Sequence, residues 1–489
     1  MGAVLVSSVS NAATRLEAVV KDAPFNPAFN SAKFMSDETF KDLKNEVVEN
    51  SGHLHPFNYA AKESALSAEY KSFRDKFLEM RSPDQIDAVL DELDAKYETF
   101  PMDLQFAAAQ LIPLRALRGI VYRLAPAVKT PNATHSALLS LMQSLAVGNS
   151  IYMPTDQWKA GFSYVIEPFE RQGNIVVRFK DEFDVQIYYI KELLPELFKA
   201  TQRIEKMSFA KTPAVVDNKL FYGTASFKDG VSRYVSLYEP ARHSLLSQLY
   251  NAMSSICLFR SYNQSGILKL FKGMGQIYGI DGFRANGDNI VGSTAEVRAG
   301  IYKSPDYKDL WTLMDDPTGE WMQLAFKMLK NANFHASLAW HELKERPTSQ
   351  AQELIFDPTA LKMWSTPMGQ GFDNMEAALS GPAQIHSGIT GEVVKIDLPR
   401  FYSNPPKDLK EFLPTSFDHS GKWATRTVLK QALQYRNYQD GRATGWNLKL
   451  WSNYIPSIKS NEDIPKTARV LSGTFGTSGL AVPVSLLIN

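Results

Sequence analysis

Residues 239–275 read EPARHSLLSQLYNAMSSICLFRSYNQSGILKLFKGMG, and this stretch decides the class of fold. Pro240 suits the first turn of a helix, where its missing N–H leaves no hydrogen bond unmade. Apolar side chains then recur at helical spacing over a wide face, at Leu245, Leu246, Leu249, Tyr250, Met253, Ile256, Cys257 and Phe259. Because so wide an apolar face is typical of a buried helix, we predict a central helix that breaks near Tyr262–Gly266.

The segments on both sides of this stretch are mostly helical in pattern as well. Helices are predicted near residues 36–50, 60–80, 83–97, 102–124, 134–147, 181–207, 320–345 and 423–438. The helices that precede residue 148 have short connections, which is typical of a helical bundle. We therefore expect the first part of the chain to form such a bundle.

The clearest β signal is the turn Lys228-Asp229-Gly230, which lies between two strand-like runs at residues 219–227 and 231–238. Shorter β-like runs occur at residues 163–169, at 174–179 after a turn at 171–173, and at 391–398. The sequence therefore predicts an α+β fold that is predominantly α-helical. In it, an N-terminal helical bundle packs on a larger helix-rich region that carries a small antiparallel β-hairpin or sheet.

The length of 489 residues exceeds what one hydrophobic core usually serves, so two or three packed units are expected. The pattern changes from helical to mixed at Gly148 and becomes rich in Gly, Ser, Thr and Trp after residue 440. The predicted units are a helical region 13–147, a helix-rich central region 148–440, and a loop-rich tail 441–489 docked on the body.

Charge and cysteine content exclude several classes of protein. The net charge of +1 gives no overall field toward nucleic acid, so we expect no nucleic-acid partner. No run of about 20 apolar residues occurs, so no transmembrane segment is predicted. Cys257 is the single cysteine, which rules out a disulfide within the chain, and its apolar neighbours indicate inert packing.

The N-terminus resembles the end of a secretory signal peptide. An apolar run from Ala3 to Val9 is followed by the small residues Ser10 and Ala12, a pattern found at signal cleavage sites. No Lys or Arg precedes the run, so residues 1–12 are interpreted as the remnant of a signal whose basic start is missing. This interpretation predicts a periplasmic, cell-envelope or secreted protein. The alternative is a cytoplasmic chain with a frayed N-terminus.

A catalytic candidate is the pair Ser208 and Lys211, which matches the S-x-x-K pattern of serine acyl enzymes. In those enzymes the pattern lies on the first turn of a helix, where the amine can act as a base toward the hydroxyl. Ser261 and Asn263 match the accompanying S-x-N element, whereas the third element, K-T-G, is missing after them. The alternative is an ordinary serine and lysine at the end of a helix.

Two metal candidates are present. His53 and His55 would point to one side of an extended segment, close enough for one ion, although no third ligand is identifiable. Asp281 and Asp288 lie in a loop rich in oxygen ligands that could attract calcium, although the EF-hand spacing is absent. Tight turns require the same residue types, so both segments could equally be plain loops.

Two other patterns fail to make a site. His335 and His341 lie six residues apart on a predicted helix, which places them on different faces, so we interpret them as ordinary helix residues. Gly273, Gly275 and Gly279 lack the preceding strand and the spacing of a dinucleotide-binding loop. No cofactor is predicted.

These observations favour a non-enzymatic binding, scaffold or surface protein exported to the bacterial cell envelope, with a protein or envelope component as its partner. Active sites built from distant residues leave no local motif, so an exported hydrolase is the first alternative. The second alternative is a subunit of a virion or other assembly, made without export.

Overall fold

The computed structural model describes residues 34–50, 61–128, 155–171, 173–209, 212–217, 220, 233–267, 299, 302–314, 319–345, 371–387, 391–418 and 442–475. These residues are mostly helical, with a few small two-stranded antiparallel sheets. The predicted class, a predominantly α-helical α+β fold, is therefore confirmed. No helix in this part of the chain is long and apolar enough to cross a lipid bilayer.

The helices in chain order are α1 Asp37–Asn50, α2 Ala68–Glu79, α3 Pro83–Ala95, α4 Met102–Leu111, α5 Ile120–Val128, α6 Thr155–Ile166, α7 Glu182–Tyr188, α8 Leu194–Glu205, α9 Glu239–Ser261, α10 Glu320–Glu345, α11 at 371–380, α12 Leu398–Ser403, α13 Leu448–Tyr454 and α14 Asp463–Phe475. A π-helical turn, Tyr189–Leu193, joins α7 to α8. Short 3₁₀ turns occur at Glu63–Ala65, Tyr97–Thr99, Ile112–Leu117, Pro305–Tyr307 and Leu409–Phe412.

The strands form antiparallel pairs. They are β1 Glu170–Arg171 with β2 Asn174–Ile175, β3 Ala214–Asp217 with β4 Tyr234–Leu237, β5 Ala383–His386 with β6 Val393–Ile396, and β7 Ser416–Asp418 with β8 Arg442–Gly445. In the first pair Glu170 lies opposite Ile175 and Arg171 opposite Asn174. Each pair is an isolated hairpin-like ribbon rather than part of a larger sheet within the described residues.

Helix α9 is the predicted central helix, and it connects two hydrophobic cores. Leu246 in its first half packs with residues of α2, α3 and α4, whereas Met253 in its second half packs with residues of α8 and α10. Cys257 is fully buried, with its sulfur 3.9 Å from Met328 Sδ, and burial raises the pKa of its thiol. The helix ends at Ser261, at the predicted break, because Tyr262 becomes extended and bridges to Leu313.

Two predicted strands differ from the structure. Residues 163–166 continue α6 instead of forming a strand, because Ala160 and Tyr164 occupy one helical face and are buried. The Tyr164 hydroxyl also donates to Asp87 Oδ1 at 2.9 Å, which fixes α6 to α3. The strand β4 is where it was predicted, but its partner is Ala214–Asp217 rather than residues 219–227, most of which lie outside the described part of the chain.

A buried carboxylate holds Asp217 of β3 in place. Asp217 is fully buried, and its carboxylate accepts from Arg233 Nη2 at 2.9 Å and Arg74 Nη1 at 3.4 Å. Its backbone N–H also donates to the Tyr70 hydroxyl at 3.1 Å. A buried carboxylate is stable only with such partners, so these bonds fix the position of β3 relative to α2. The local sequence gives no sign of them, because the partners are distant along the chain.

A second charged cluster joins α3 to α8. Asp94 of α3 accepts from Lys199 Nζ at 2.6 Å, and from Arg115 Nη2 and Arg203 Nη2 at 2.7 Å each. Burial opposes ionisation of the Asp94 carboxyl, but the three cationic donors outweigh it and lower its pKa. The N-terminal helices are therefore tied to the following region by charge as well as by apolar packing.

Candidate functional site

Two large apolar side chains two residues apart are exposed, one in β2 and one just after it. Ile175 is 62% exposed and Val177 is 72% exposed, and among the described residues only Val393 is a further exposed large apolar side chain, at 38%. Residues two apart in an extended segment point to the same side, so Ile175 and Val177 form one small apolar face. We call residues 174–178 the edge segment.

One side of the edge segment's backbone is not paired with any other described strand. Val176 N–H donates to the Phe169 carbonyl at 2.9 Å, so its polar groups point inward, toward β1. In an antiparallel strand the N–H and C=O of successive residues alternate in direction. The N–H and C=O groups of Ile175, the last residue of β2, therefore point away from β1, along an edge that no other described strand joins. The Val176–Phe169 bond extends the ladder one residue past β2, and the same alternation, continued by one more residue, directs the groups of Val177 to this edge. A strand from another chain can pair with such an edge.

A buried arginine fixes one end of the hairpin to the body. Arg123 of α5 donates from Nη1 and Nη2 to the two oxygens of Glu192 at 3.0 and 2.8 Å. Its guanidinium also lies over the rings of Phe179 and Tyr188, with centroid distances of 4.4 and 4.9 Å. Arg171 of β1 adds a third hydrogen bond to Glu192 at 3.2 Å. The cluster thus holds β1 through Arg171, and the chain after β2 through Phe179.

A close contact between the Gly119 backbone and the ring of Phe169 fixes the start of β1. Gly119 has φ +60°, and a Cβ placed there would lie 2.7 Å from Cδ1 of Phe169, just before β1. The Gly119 N–H donates to the Tyr164 carbonyl at 2.8 Å. The guanidinium of Arg118 lies over two aromatic rings, with its Cζ 4.9 Å from the ring centroid of Tyr164 and 5.3 Å from that of Phe169. The hairpin is therefore presented on a rigid base.

The structure also brings together two histidines that are 92 residues apart. Nδ1 of His243 on α9 lies 2.9 Å from Nδ1 of His335 on α10, and both rings are buried. One ring must carry a proton on Nδ1 and the other must not, so one histidine donates and the other accepts. Burial, together with the charge of Arg242, lowers the pKa of His335 to about 3 and that of His243 well below its usual value.

The histidine pair is a packed polar contact between the two longest helices. The ring of His335 stacks on Tyr250 at 5.7 Å, and the other nitrogen of His243 lies 3.8 Å from Glu239 Oε2. No group of three potential metal ligands occurs among the residues that the structure describes. The pair holds α9 against α10, and its chemistry is that of a proton-sensitive structural contact.

The sequence-based site candidates are placed only in part. Ser208 is exposed and lies beyond the end of α8, whose last residue is Glu205, while Lys211 lies outside the described residues. Ser261, from the accompanying S-x-N pattern, is buried and donates to the Cys257 carbonyl at 3.0 Å. The candidates His53, His55, Asp281 and Asp288 all lie outside the described residues.

Sequence reasoning missed both the histidine pair and the exposure of the edge segment. No local pattern joins His243 to His335, since the contact depends on how α9 crosses α10. The run of β-branched residues Ile175, Val176 and Val177 indicated a strand, but not which side faced water. No protein-family model, curated protein or solved structure matches the chain.

Proposed function

We propose that the chain is a non-enzymatic scaffold or surface protein that binds another protein chain through the β1–β2 hairpin. The observation that carries this proposal is the apolar face of Ile175 and Val177 beside a strand edge that no other described strand joins. Burying each of these side chains in an interface is worth roughly 1–2 kcal/mol, scaled from full burial. A strand added at this edge would at the same time satisfy the outward backbone groups.

The anchoring of the hairpin supports the same proposal. Binding costs less free energy when the binding element is already held in its bound conformation. The Arg123–Glu192 pair and the close contact of Gly119 with Phe169 hold the hairpin in that way. The element is therefore suited to recognition by shape and backbone pairing, without a reacting group.

The proposal places the protein in the bacterial cell envelope or periplasm. Its support is the apolar run from Ala3 to Val9 followed by Ser10 and Ala12. The intact mass of the native protein from separated cell fractions tests this part. A species that begins at Ala13 in the periplasmic or envelope fraction is expected, and a species that retains Met1 in the cytosol would contradict export.

Site-specific photocrosslinking tests the binding function. A photoreactive amino acid replaces Val177 in the full chain, and the same residue replaces Val393, the other exposed apolar position among the described residues, as a matched control. We expect light-dependent protein adducts from position 177 in cells and few from position 393. Equal adduct yields at the two positions, or none at 177, would overturn the proposal.

A further inference from the structure

We infer that the partner of the edge segment is the edge segment of a second copy of this chain. The inference rests on the proposed binding function and adds the identity of the partner. Its basis is that residues 174–178, Asn-Ile-Val-Val-Arg, are complementary to themselves when two copies run antiparallel about a two-fold axis at Val176.

The hydrogen-bonding register favours this axis. With Val176 opposite Val176 of the other copy, Ile175 lies opposite Val177, and Val177 opposite Ile175. These are the residues whose N–H and C=O groups point to the free edge, because Val176 already bonds to Phe169. Each opposed pair can therefore exchange two hydrogen bonds, and the self-pairing fills the edge without a register slip.

The side chains agree with the same register. The exposed Ile175 and Val177 meet each other across the axis on one face, which is a favourable aliphatic cross-strand pair. Arg178 falls opposite Asn174 of the other copy, so the pairing brings no like charges together. Arg178 is also already stacked on Tyr122, with its guanidinium 4.7 Å from the ring centroid.

The size of the contact sets the expected strength. Stable protein interfaces bury about 1,200–2,000 Å² in total, which is more than a strand pair of this length supplies. The dimer made by the edge segment alone is therefore concentration-dependent. A larger assembly would strengthen it through additional contacts or through several copies acting together.

A cysteine at the axis gives the first test. In the proposed register the two Val176 Cα atoms form a non-hydrogen-bonded pair about 4.5 Å apart, within the range that a disulfide spans. The Val176→Cys chain should crosslink to a dimer under mild oxidation, whereas Val393→Cys should not. The native Cys257 does not compete, because it is fully buried. A Val176→Cys chain that stays monomeric at high concentration would overturn the inference.

Charge substitutions give the second test, with dissociation constants measured by static light scattering across a concentration series. I175K/V177K places two like-charged pairs across the axis and should weaken the dimer about tenfold or more. I175E/V177K places opposite charges in the same positions and should restore the dimer to within about threefold of the native chain. V393K should leave the dimer unchanged.

The two charge variants separate this inference from the proposed function. Equal weakening in I175K/V177K and I175E/V177K would contradict the register and the inference with it. Adducts at position 177 that contain only other proteins, together with an absence of Val176→Cys dimers, would leave the binding function standing and overturn self-pairing. Circular dichroism should show that the charge variants keep the native helical content, since the substituted side chains are exposed.

Discussion

Arg123 joins parts of the molecule that lie far apart in sequence. Its guanidinium donates two hydrogen bonds to Glu192 in a bidentate ion pair, and it also lies over the rings of Phe179 and Tyr188. The Arg123 side chain is 9% exposed and that of Glu192 is 20% exposed. Removing one partner of a buried, bidentate ion pair of this kind costs more free energy of unfolding than removing one partner of an exposed pair.

Replacing Arg123 tests its role at the hairpin base. Arg123→Met removes the charge and both hydrogen bonds but keeps a long side chain, and it leaves Glu192 in a mostly buried position. We expect the free energy of unfolding in urea to fall by about 3 kcal/mol. Arg171→Met is the control, because Arg171 contacts the same carboxylate but is 52% exposed, and it should cost less than about 1 kcal/mol. Equal losses in the two variants would contradict the role of burial.

Gly119 and Gly173 separate backbone strain from steric contact. Both have positive φ, +60° and +75°, but only Gly119 has a neighbour, Phe169, in the space that a Cβ would fill. Gly119→Ala should therefore lower the free energy of unfolding by about 2 kcal/mol or more, and Gly173→Ala by about 1 kcal/mol. Thermal or urea unfolding of both variants measures the difference. A Gly173→Ala chain as unstable as Gly119→Ala would show that Phe169 does not constrain the site.

The histidine pair makes stability depend on pH. Both histidines have a lower pKa in the folded chain than the ordinary histidine value of 6.5, about 3 for His335, so the unfolded chain binds more protons between these values. Their contribution is fully present above about pH 6.5 and is lost as the pH falls. We expect His335 to reduce the free energy of unfolding by on the order of 1 kcal/mol per pH unit between pH 6 and pH 4.5, and His243 to act in the same direction.

Urea unfolding of the native chain and of His335→Gln at several pH values measures this dependence. The variant removes one titrating group and should show a shallower fall across the same window. The pKa of Asp94 is lowered in the folded chain, so this group changes the stability only near and below pH 3.8, the ordinary pKa of an aspartate. Its titration therefore lies below the pH window of the histidines. Identical slopes in the two chains would contradict the neutral, buried state of His335.

At the scale of elements, the sequence was most informative where local physics and burial agree. Pro240 and the wide apolar face identified α9 correctly from its first residue, and the break at Tyr262 was also predicted. The start of α3 near residue 83 was also predicted, and the Ser82 hydroxyl accepts from the Gln85 N–H there as part of a capping box. These signals act within one helix, so they do not depend on which other elements the helix packs against.

Elements that depend on distant partners were less predictable. The β-like composition of residues 163–166 did not prevail over the helix, because the face of Ala160 and Tyr164 packs toward α3. The strand that pairs with β4 was predicted at residues 219–227, whereas β4 pairs with residues 214–217. Asp217 in that strand is held by Arg74 and Arg233, which are distant in sequence or outside the strand, so local sequence does not reveal its position. A turn was predicted at residues 171–173. The chain does reverse between β1 and β2, although Arg171 belongs to β1 and residue 172 lies outside the described residues. The exposure of Ile175 depends on what the rest of the protein leaves uncovered.

The central helix makes a prediction of its own about reactivity. Cys257 of α9 is fully buried against α10, and burial raises the pKa of its thiol. In the folded chain a reagent therefore cannot reach the sulfur, and the reactive thiolate does not form. An aromatic disulfide reagent should therefore label the chain only after denaturant is added. Rapid stoichiometric labelling of the native chain would show that α9 separates from α10 under native conditions.

At the scale of the whole molecule, the two cores and the charged clusters form a body that carries the hairpin at its surface. Leu246 and Met253 place α9 in both cores, so the N-terminal helices and the later helices share one central element. The predicted domain boundary at Gly148 lies outside the described residues and stays a prediction.

The central claim is that the free edge of the hairpin is filled by another chain, and hydrogen exchange at single amides tests it most directly. The amide of Val176 bonds to Phe169 within one copy and should be protected at every protein concentration. The amides of Ile175 and Val177 should be protected at high concentration and should lose that protection on dilution. Fast exchange of both at every concentration, or protection that does not change on dilution, would contradict the account.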